Sequence, residues 1–297
     1  MDTLSSAFRD YIRQVMTMSK SPAIVTDENV YQEGDANILP YLNKMVEALI
    51  LGGSGIDGLE NLEELLLKAK SGKSCLLLPE HYSNLDLSLL YYLVSIAGGR
   101  GDEISRAIIA IAGMKLNEDN PIVSAFASAY TRIVIYPSRS LHDQGNNKAE
   151  IARSNNINRS AMKALNDIKN SGRLVLIFPS GTRYRPWDPS SKRAVREIDS
   201  YIKSFDYMCL IAINGEVLHV RQGDMLEDTV SKDVVRITAS PVLSCSEFRN
   251  KVRAHVNSDV NESGNGQTDN KQAVADAIMT ELEKMHVEGE KKRKQYM

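Results

Sequence analysis

The stretch Cys75-Leu76-Leu77-Leu78-Pro79-Glu80-His81-Tyr82-Ser83-Asn84-Leu85-Asp86 runs from an unbroken apolar segment through a short polar turn into an apolar, helix-like segment ending near Val94. An apolar run of that length, followed by a helical pattern, reads as a buried strand feeding a helix. Such a strand delivers His81 to a fixed point at its end. Ser83 or Asn84 suits the N-cap by residue type, which puts Asp86 in the first helical turn, within reach of the imidazole. A neutral imidazole accepts a hydroxyl proton near neutral pH, and a carboxylate on its other nitrogen fixes the tautomer, so the pair reads as a general base with its orienter. A plainer reading stands beside it. A carboxylate in a first turn also stabilises the helix dipole, and a histidine in a βα loop is an ordinary polar residue.

Working outward, short apolar runs at 74–78, 107–112, 131–136, 173–178, 208–213 and 234–239 are separated by amphipathic segments near 85–97, 121–129, 147–170 and 192–204. This alternation predicts a layered α/β domain over 74–297 with a mostly parallel sheet, in which ligands collect at the carboxyl ends of the strands. Before it, residues 1–73 show three- and four-residue apolar spacing in Ala7, Phe8, Tyr11, Ile12, Val15 and Met16, and again from Ile38 to Leu49. They read as a small helical N-terminal domain. Asn257 to Asn270, rich in Ser, Gly, Asn and Asp, reads as a mobile loop before a last helix from about Lys271 to Met285. The basic tail Lys291-Lys292-Arg293-Lys294 reads as a solvated surface, with membrane or acidic-partner contact as the alternative.

A second phrase, Phe178-Pro179-Ser180-Gly181-Thr182-Arg183-Tyr184-Arg185-Pro186, also falls at a strand end. Its Ser180-Gly181-Thr182 turn would support Arg183 and Arg185, whose planar donor forks suit a phosphate. Arg139, after the 131–136 strand, would close the clamp, with His142 and Lys148 as weaker candidates. A surface salt-bridge cluster is the plainer reading. A base at one strand end and an anion clamp at another together suggest acyl transfer to a phosphate-bearing alcohol.

Other chemistries find little support. Ser71-Gly72-Lys73-Ser74 ends like a P-loop, but Leu67 stands where the first glycine belongs and a helical pattern precedes it. Ser83 is not on a Gly-x-Ser-x-Gly elbow, so direct transfer is favoured over an acyl-enzyme. The five histidines and three cysteines lack metal-ligand spacing, so no metal is expected. The odd, scattered set Cys75, Cys209 and Cys245 reads as reduced, buried thiols. With 36 basic against 38 acidic residues, the chain has no global attraction for nucleic acid, and an anion site must be local. No secretory signal and no apolar run of about 18 residues is seen, which predicts a cytoplasmic protein, at most peripheral to a membrane.

The two phrases resemble the glycerolipid acyltransferase family, in which a His-x-x-x-x-Asp block and a later Phe-Pro-x-Gly-Thr-Arg block form one active site. They stand here as His81 to Asp86 and Phe178 to Arg183. The later block is similar to the Pro-Ser-Gly-Gly-Arg-x-Arg-Pro of soluble, plastid-type glycerol-3-phosphate acyltransferases. Asp119-Asn120-Pro121 to Tyr136 and Arg153 to Ser160 resemble that group as well. The resemblance implies transfer of a fatty acyl group from acyl carrier protein or coenzyme A to the sn-1 hydroxyl of glycerol 3-phosphate, without a cofactor, in the cytoplasm or a stroma-like compartment. It implies His81 as base, Asp86 as its partner, and Arg139, Arg183 and Arg185 on the phosphate. Acylation of 1-acylglycerol 3-phosphate and a non-catalytic lipid-binding role are the alternatives. The chain departs from the family at Glu80, where Asn is usual, and at Ser138-Arg139-Ser140, where a basic pair and histidine are usual. Lys192, Arg193 and Arg196 would suit an acidic carrier protein or a solvated helix face equally.

Overall fold

The computed structural model describes residues 1–22, 24–118, 120–137, 147–223, 227–263 and 269–297, with the side chains of 257–263 left aside. Helices are α1 Leu4–Ala7, α2 Arg9–Met18, α3 Leu39–Leu49, α4 Leu59–Lys70, α5 Asp86–Ser95, α6 Gly101–Ala107, α7 Lys115–Glu118, α8 Pro121–Ala127, α9 Lys148–Ile168, α10 Ile198–Ser204, α11 Cys245–Ser263 and α12 Asn270–Arg293. Strands are β1 Tyr31–Gln32, β2 Gly55–Asp57, β3 Cys75–Pro79, β4 Ile108–Gly113, β5 Arg132–Ile135, β6 Leu174–Leu176, β7 Tyr207–Asn214, β8 Leu218–His219, β9 Thr229–Val230, β10 Arg236–Ala239 and β11 Leu243–Ser244.

Five strands in the order β5-β4-β6-β3-β7 form the parallel centre of one sheet, which confirms the α/β fold class. Every residue of β3 is buried, because helices cover both faces of the sheet. Leu77 packs on one side with α3, α4 and α5, whereas Leu76 and Leu78 pack on the other with α9, α10 and α12. Burial on both faces is why β3 reads as a continuous apolar run rather than an alternating one.

The strand order positions the site. The chain leaving β3 passes through α5 on one face and enters the sheet again at β4, beyond β6. The chain leaving β6 passes through α10 on the other face and returns at β7, beyond β3. Adjacent strands whose connections diverge in this way open a crevice at their carboxyl ends. His81 follows β3 and Phe178 follows β6, so both phrases emerge at that crevice.

Residues 1–73 contribute two short strands as well as four helices: β1 pairs antiparallel with β5, and β2 pairs parallel with β10. Two- and three-residue strands carry too little periodicity to be read from sequence. The last helix is longer than expected. Rather than ending near Met285, α12 runs to Arg293, so the basic residues 291–293 form its final turn, where cations complement the helix dipole. Arg293 is tied to Glu290 and Asp233. The loop expected over 257–270 is replaced in part by α11, which continues to Ser263, and 264–268 lie outside the described residues.

Candidate active site

Asp86 opens α5 with its carboxylate turned back over the preceding loop. Oδ2 accepts from His81 Nδ1 at 2.9 Å, from the Tyr82 amide at 2.6 Å and from the Ser83 amide at 2.8 Å, while Oδ1 accepts from the Ser83 hydroxyl at 2.8 Å. Neither Ser83 nor Asn84 is the N-cap. Leu85 occupies that position without a side-chain bond, and the Ser83 hydroxyl oxygen accepts from the Leu85 amide instead. Asp86 is only 2% exposed, so its charge is compensated by a ring of donors rather than by water. With Nδ1–H given to the carboxylate, the unprotonated nitrogen of the neutral ring is Nε2, which makes no hydrogen bond among the described residues.

The second phrase completes the setting. Phe178 stacks on the His81 ring with centroids 3.9 Å apart and planes 19° from parallel, and the Tyr184 amide donates to the His81 carbonyl at 2.8 Å. The imidazole is thus held from the β6 side as well as by Asp86. A turn closes from Gly181 N to the Phe178 carbonyl at 3.0 Å, with Gly181 at φ +64°, a conformation that favours glycine. The Ser180 hydroxyl braces the turn by donating to the Thr182 carbonyl at 2.7 Å. Ser180 and Gly181 therefore shape the loop, and Thr182 supplies a backbone acceptor to it.

The arginines differ from one another. Arg183 donates through Nη1 to Asp228, which is wholly buried. Arg185 is exposed; its amide donates to the Ser191 hydroxyl at 2.8 Å, and its guanidinium makes no hydrogen bond or ion pair among the described residues. Arg139 and His142, with Ser138 and Ser140, lie outside the described residues, as does Asp119. Lys148 is exposed at the start of α9. Lys192, Arg193 and Arg196 do not form an unpaired basic face: they pair with Glu283, Asp276 and Asp269 on and beside α12.

Beside His81 lies a cleft of about 720 Å³ with mostly apolar walls. Leu85, Ile122 and Phe126 line it on the α5 and α8 side, Met162 and Leu165 on the α9 side, and Ile198 and Tyr201 on α10. A hydrocarbon chain entering it would be removed from water against those walls. The amides of Tyr82 and Ser83 are committed to Asp86 and that of Leu85 to Ser83, so these three do not serve an oxyanion.

Glu80, the departure noted in the sequence, points away from the imidazole. It is 3% exposed and accepts from the Ile213 amide at 2.8 Å, the Tyr82 hydroxyl at 2.9 Å and His286 Nδ1 at 2.9 Å, fastening α12 to the end of β3. Burial pulls the His286 pKa down, but the hydrogen bond and charge of Glu80 more than offset this and hold it above 6.5. Lys192 and Glu283 face the same ring with opposing effects. Because folding raises this pKa, the contribution to stability is full below about 6.5 and is lost as pH rises through the raised value. A His286→Gln variant is expected to flatten the dependence of Tm on pH across that window, as scanning calorimetry would show; an unaltered slope would assign it to another group.

The three cysteines are free and buried, and burial pushes Cys75 and Cys209 up to about 12 and Cys245 up as well, so none is a nucleophile. Among the described residues no cluster of metal-ligating side chains occurs, and no helix is long and apolar enough to cross a membrane.

The fold is thus a largely parallel α/β sheet with a His–Asp pair at its switch point and an apolar cleft alongside. The acyltransferase family matches residues 55–223, more than half of the chain, and the protein belongs to that family. No curated protein matches its sequence. Among solved structures it is similar to the 1-acyl-sn-glycerophosphate (LPA) acyltransferase PlsC from Thermotoga maritima, with a TM-score of 0.42 and 13% identity over 88% of this chain and 90% of that one.

Two features escaped the sequence. Asp228 sits in Glu227-Asp228-Thr229, which carries no motif, and nothing short of coordinates pairs it with Arg183. His286 is distant in sequence from Glu80, and its position on α12 gives no sign of the contact.

Proposed function

We propose that this protein transfers a fatty acyl group from a thioester, on acyl carrier protein or coenzyme A, to the sn-1 hydroxyl of glycerol 3-phosphate. The observation that carries the reading is His81: Nδ1 is bound to a buried carboxylate, Nε2 is without a partner, and the ring borders an apolar cleft. In this scheme Nε2 takes the acceptor's hydroxyl proton as the alkoxide oxygen attacks the thioester carbonyl. The tetrahedral intermediate collapses by breaking the C–S bond, and the proton passes from the imidazolium to the departing thiolate. Asp86 stabilises the imidazolium meanwhile. The hydrocarbon lies in the cleft. Arg183 and Arg185, with Arg139, hold the phosphate, so that binding energy becomes positioning of the hydroxyl. No cofactor is needed for this exchange. Cytoplasmic placement with peripheral contact at a lipid surface suits the product.

Acylation of 1-acylglycerol 3-phosphate is the second reading. It is favoured by the walls of the cleft, which come from helices on both faces of the sheet and offer apolar surface to the acyl chain that this acceptor already carries. Purified protein offered each acceptor with each thioester separates the two: the first reading expects ester formation on glycerol 3-phosphate, and activity confined to the lysophospholipid would replace it with the second. Arg183→Ala is expected to raise the acceptor KM by roughly tenfold or more, the worth of a charge-assisted hydrogen bond. An unchanged KM would remove Arg183 from the phosphate site.

A further inference from the structure

Arg183, the arginine of the second phrase, is not left to solvent. Its guanidinium is held through Nη1 by Asp228, a residue with no exposed surface, and makes no other hydrogen bond among the described residues. Asp228 is itself immobilised. Its Oδ1 accepts from the Arg221 amide at 2.9 Å, and its carbonyl accepts from the amide of Leu4, a residue that lines the cleft, at 2.8 Å. The flanking Val230 amide donates to the Asp2 carbonyl at 2.9 Å, so the β8–β9 hairpin and the N-terminus together fix where this carboxylate stands.

A guanidinium offers five N–H donors in one plane. Engaging Nη1 leaves the edge formed by Nε and Nη2 unused, and that edge matches two oxygens of a phosphate. A long side chain near a site mouth ordinarily samples many rotamers, and ordering it costs part of the binding energy. A buried carboxylate that has both oxygens engaged removes that cost and sets the plane of the fork.

We propose that Asp228 is a positioning residue, which holds Arg183 so that its Nε–Nη2 edge receives the phosphate of the acceptor. This rests on the acceptor carrying a phosphate, as read above. Asp228 touches no reacting atom and acts through Arg183, which separates its effect from that of a general structural brace.

The test is steady-state kinetics on the full chain with glycerol 3-phosphate and, as a phosphate-free comparator, glycerol. Asp228→Asn keeps the size of the side chain and removes its charge. It is expected to raise the KM for glycerol 3-phosphate by roughly tenfold, with kcat and the donor KM changed less than about twofold. The Arg183→Ala/Asp228→Asn pair is expected to be no worse than Arg183→Ala alone. Arg183→Lys, which keeps the charge and the partner but lacks the second edge, is expected to raise the same KM about as much. An unchanged KM in Asp228→Asn, multiplying losses in the double variant, or near-normal kinetics in Arg183→Lys would each overturn the proposal. If the Asn variant does not fold, Asp228→Glu takes its place: it keeps the charge but displaces it by one methylene, and it is expected to raise the same KM with kcat little changed, an unchanged KM again overturning the proposal. Should the unaltered protein use glycerol as well as glycerol 3-phosphate, the phosphate-bearing acceptor itself is wrong, and the proposal falls with it.

Discussion

His81→Ala is expected to lower kcat by about two to four orders of magnitude, the range that a positioned general base contributes, while the acceptor KM stays within a small factor. In the proposed scheme the two parameters separate because the imidazole acts on the hydroxyl proton in the transition state, whereas the arginines hold the phosphate. The ring is 17% exposed and stacked on Phe178, so alanine leaves a small gap at the crevice rather than deep in the core. Circular dichroism and Tm are therefore expected to change little. A variant that turns over normally would show that the proton goes elsewhere, and one that loses the acceptor affinity as well would place His81 in ground-state binding.

Asp86→Asn is the second large effect, for a different reason. The carboxylate accepts from His81 Nδ1, two backbone amides and the Ser83 hydroxyl, and it needs both oxygens to do so. An amide has one acceptor oxygen. If its NH₂ takes the place of Oδ2, it donates to Nδ1, driving the imidazole proton to Nε2, the nitrogen required to be bare, and meets the Tyr82 and Ser83 amides donor to donor; if it takes the place of Oδ1, it faces the Ser83 hydroxyl, which must turn its own hydrogen away, and the charge that stabilises the imidazolium is gone. Loss of kcat by about two to four orders of magnitude is expected, as for a base held in the wrong tautomer. Unlike His81→Ala, this variant is expected to lose stability as well, because the buried amides of Tyr82 and Ser83 exchange a charged acceptor for a neutral one or for none. Activity near normal would reduce Asp86 to a loop brace.

The central strands were legible because each is buried on both faces: β3, β4 and β7 appear as apolar runs within a residue or two of their observed bounds. The His81–Asp86 contact was legible for a related reason, since a residue just past a strand end and one in the first helical turn, with four residues between them, leave the side chains few places to go. Pairings across long sequence distances were not. Arg183 with Asp228, Glu80 with His286, and Lys192 with Glu283 depend on how hairpins and the last helix dock, and no local spacing encodes that. The basic run at 192–196 shows the cost of reading charge without its partners: it looked open to an acidic protein and is matched by carboxylates of the same chain. The two short strands among the first 73 residues were missed because they are too short to express a period.

The most direct measurement is acyl transfer itself: purified protein, radiolabelled glycerol 3-phosphate, and palmitoyl thioesters of coenzyme A and of acyl carrier protein, with the ester product resolved by chromatography. A labelled 1-acylglycerol 3-phosphate that forms with at least one donor, and disappears in His81→Ala, is the expected result. Product formed equally well by the His81→Ala variant, or no ester on any phosphate-bearing acceptor with either donor, would contradict a base at the end of β3.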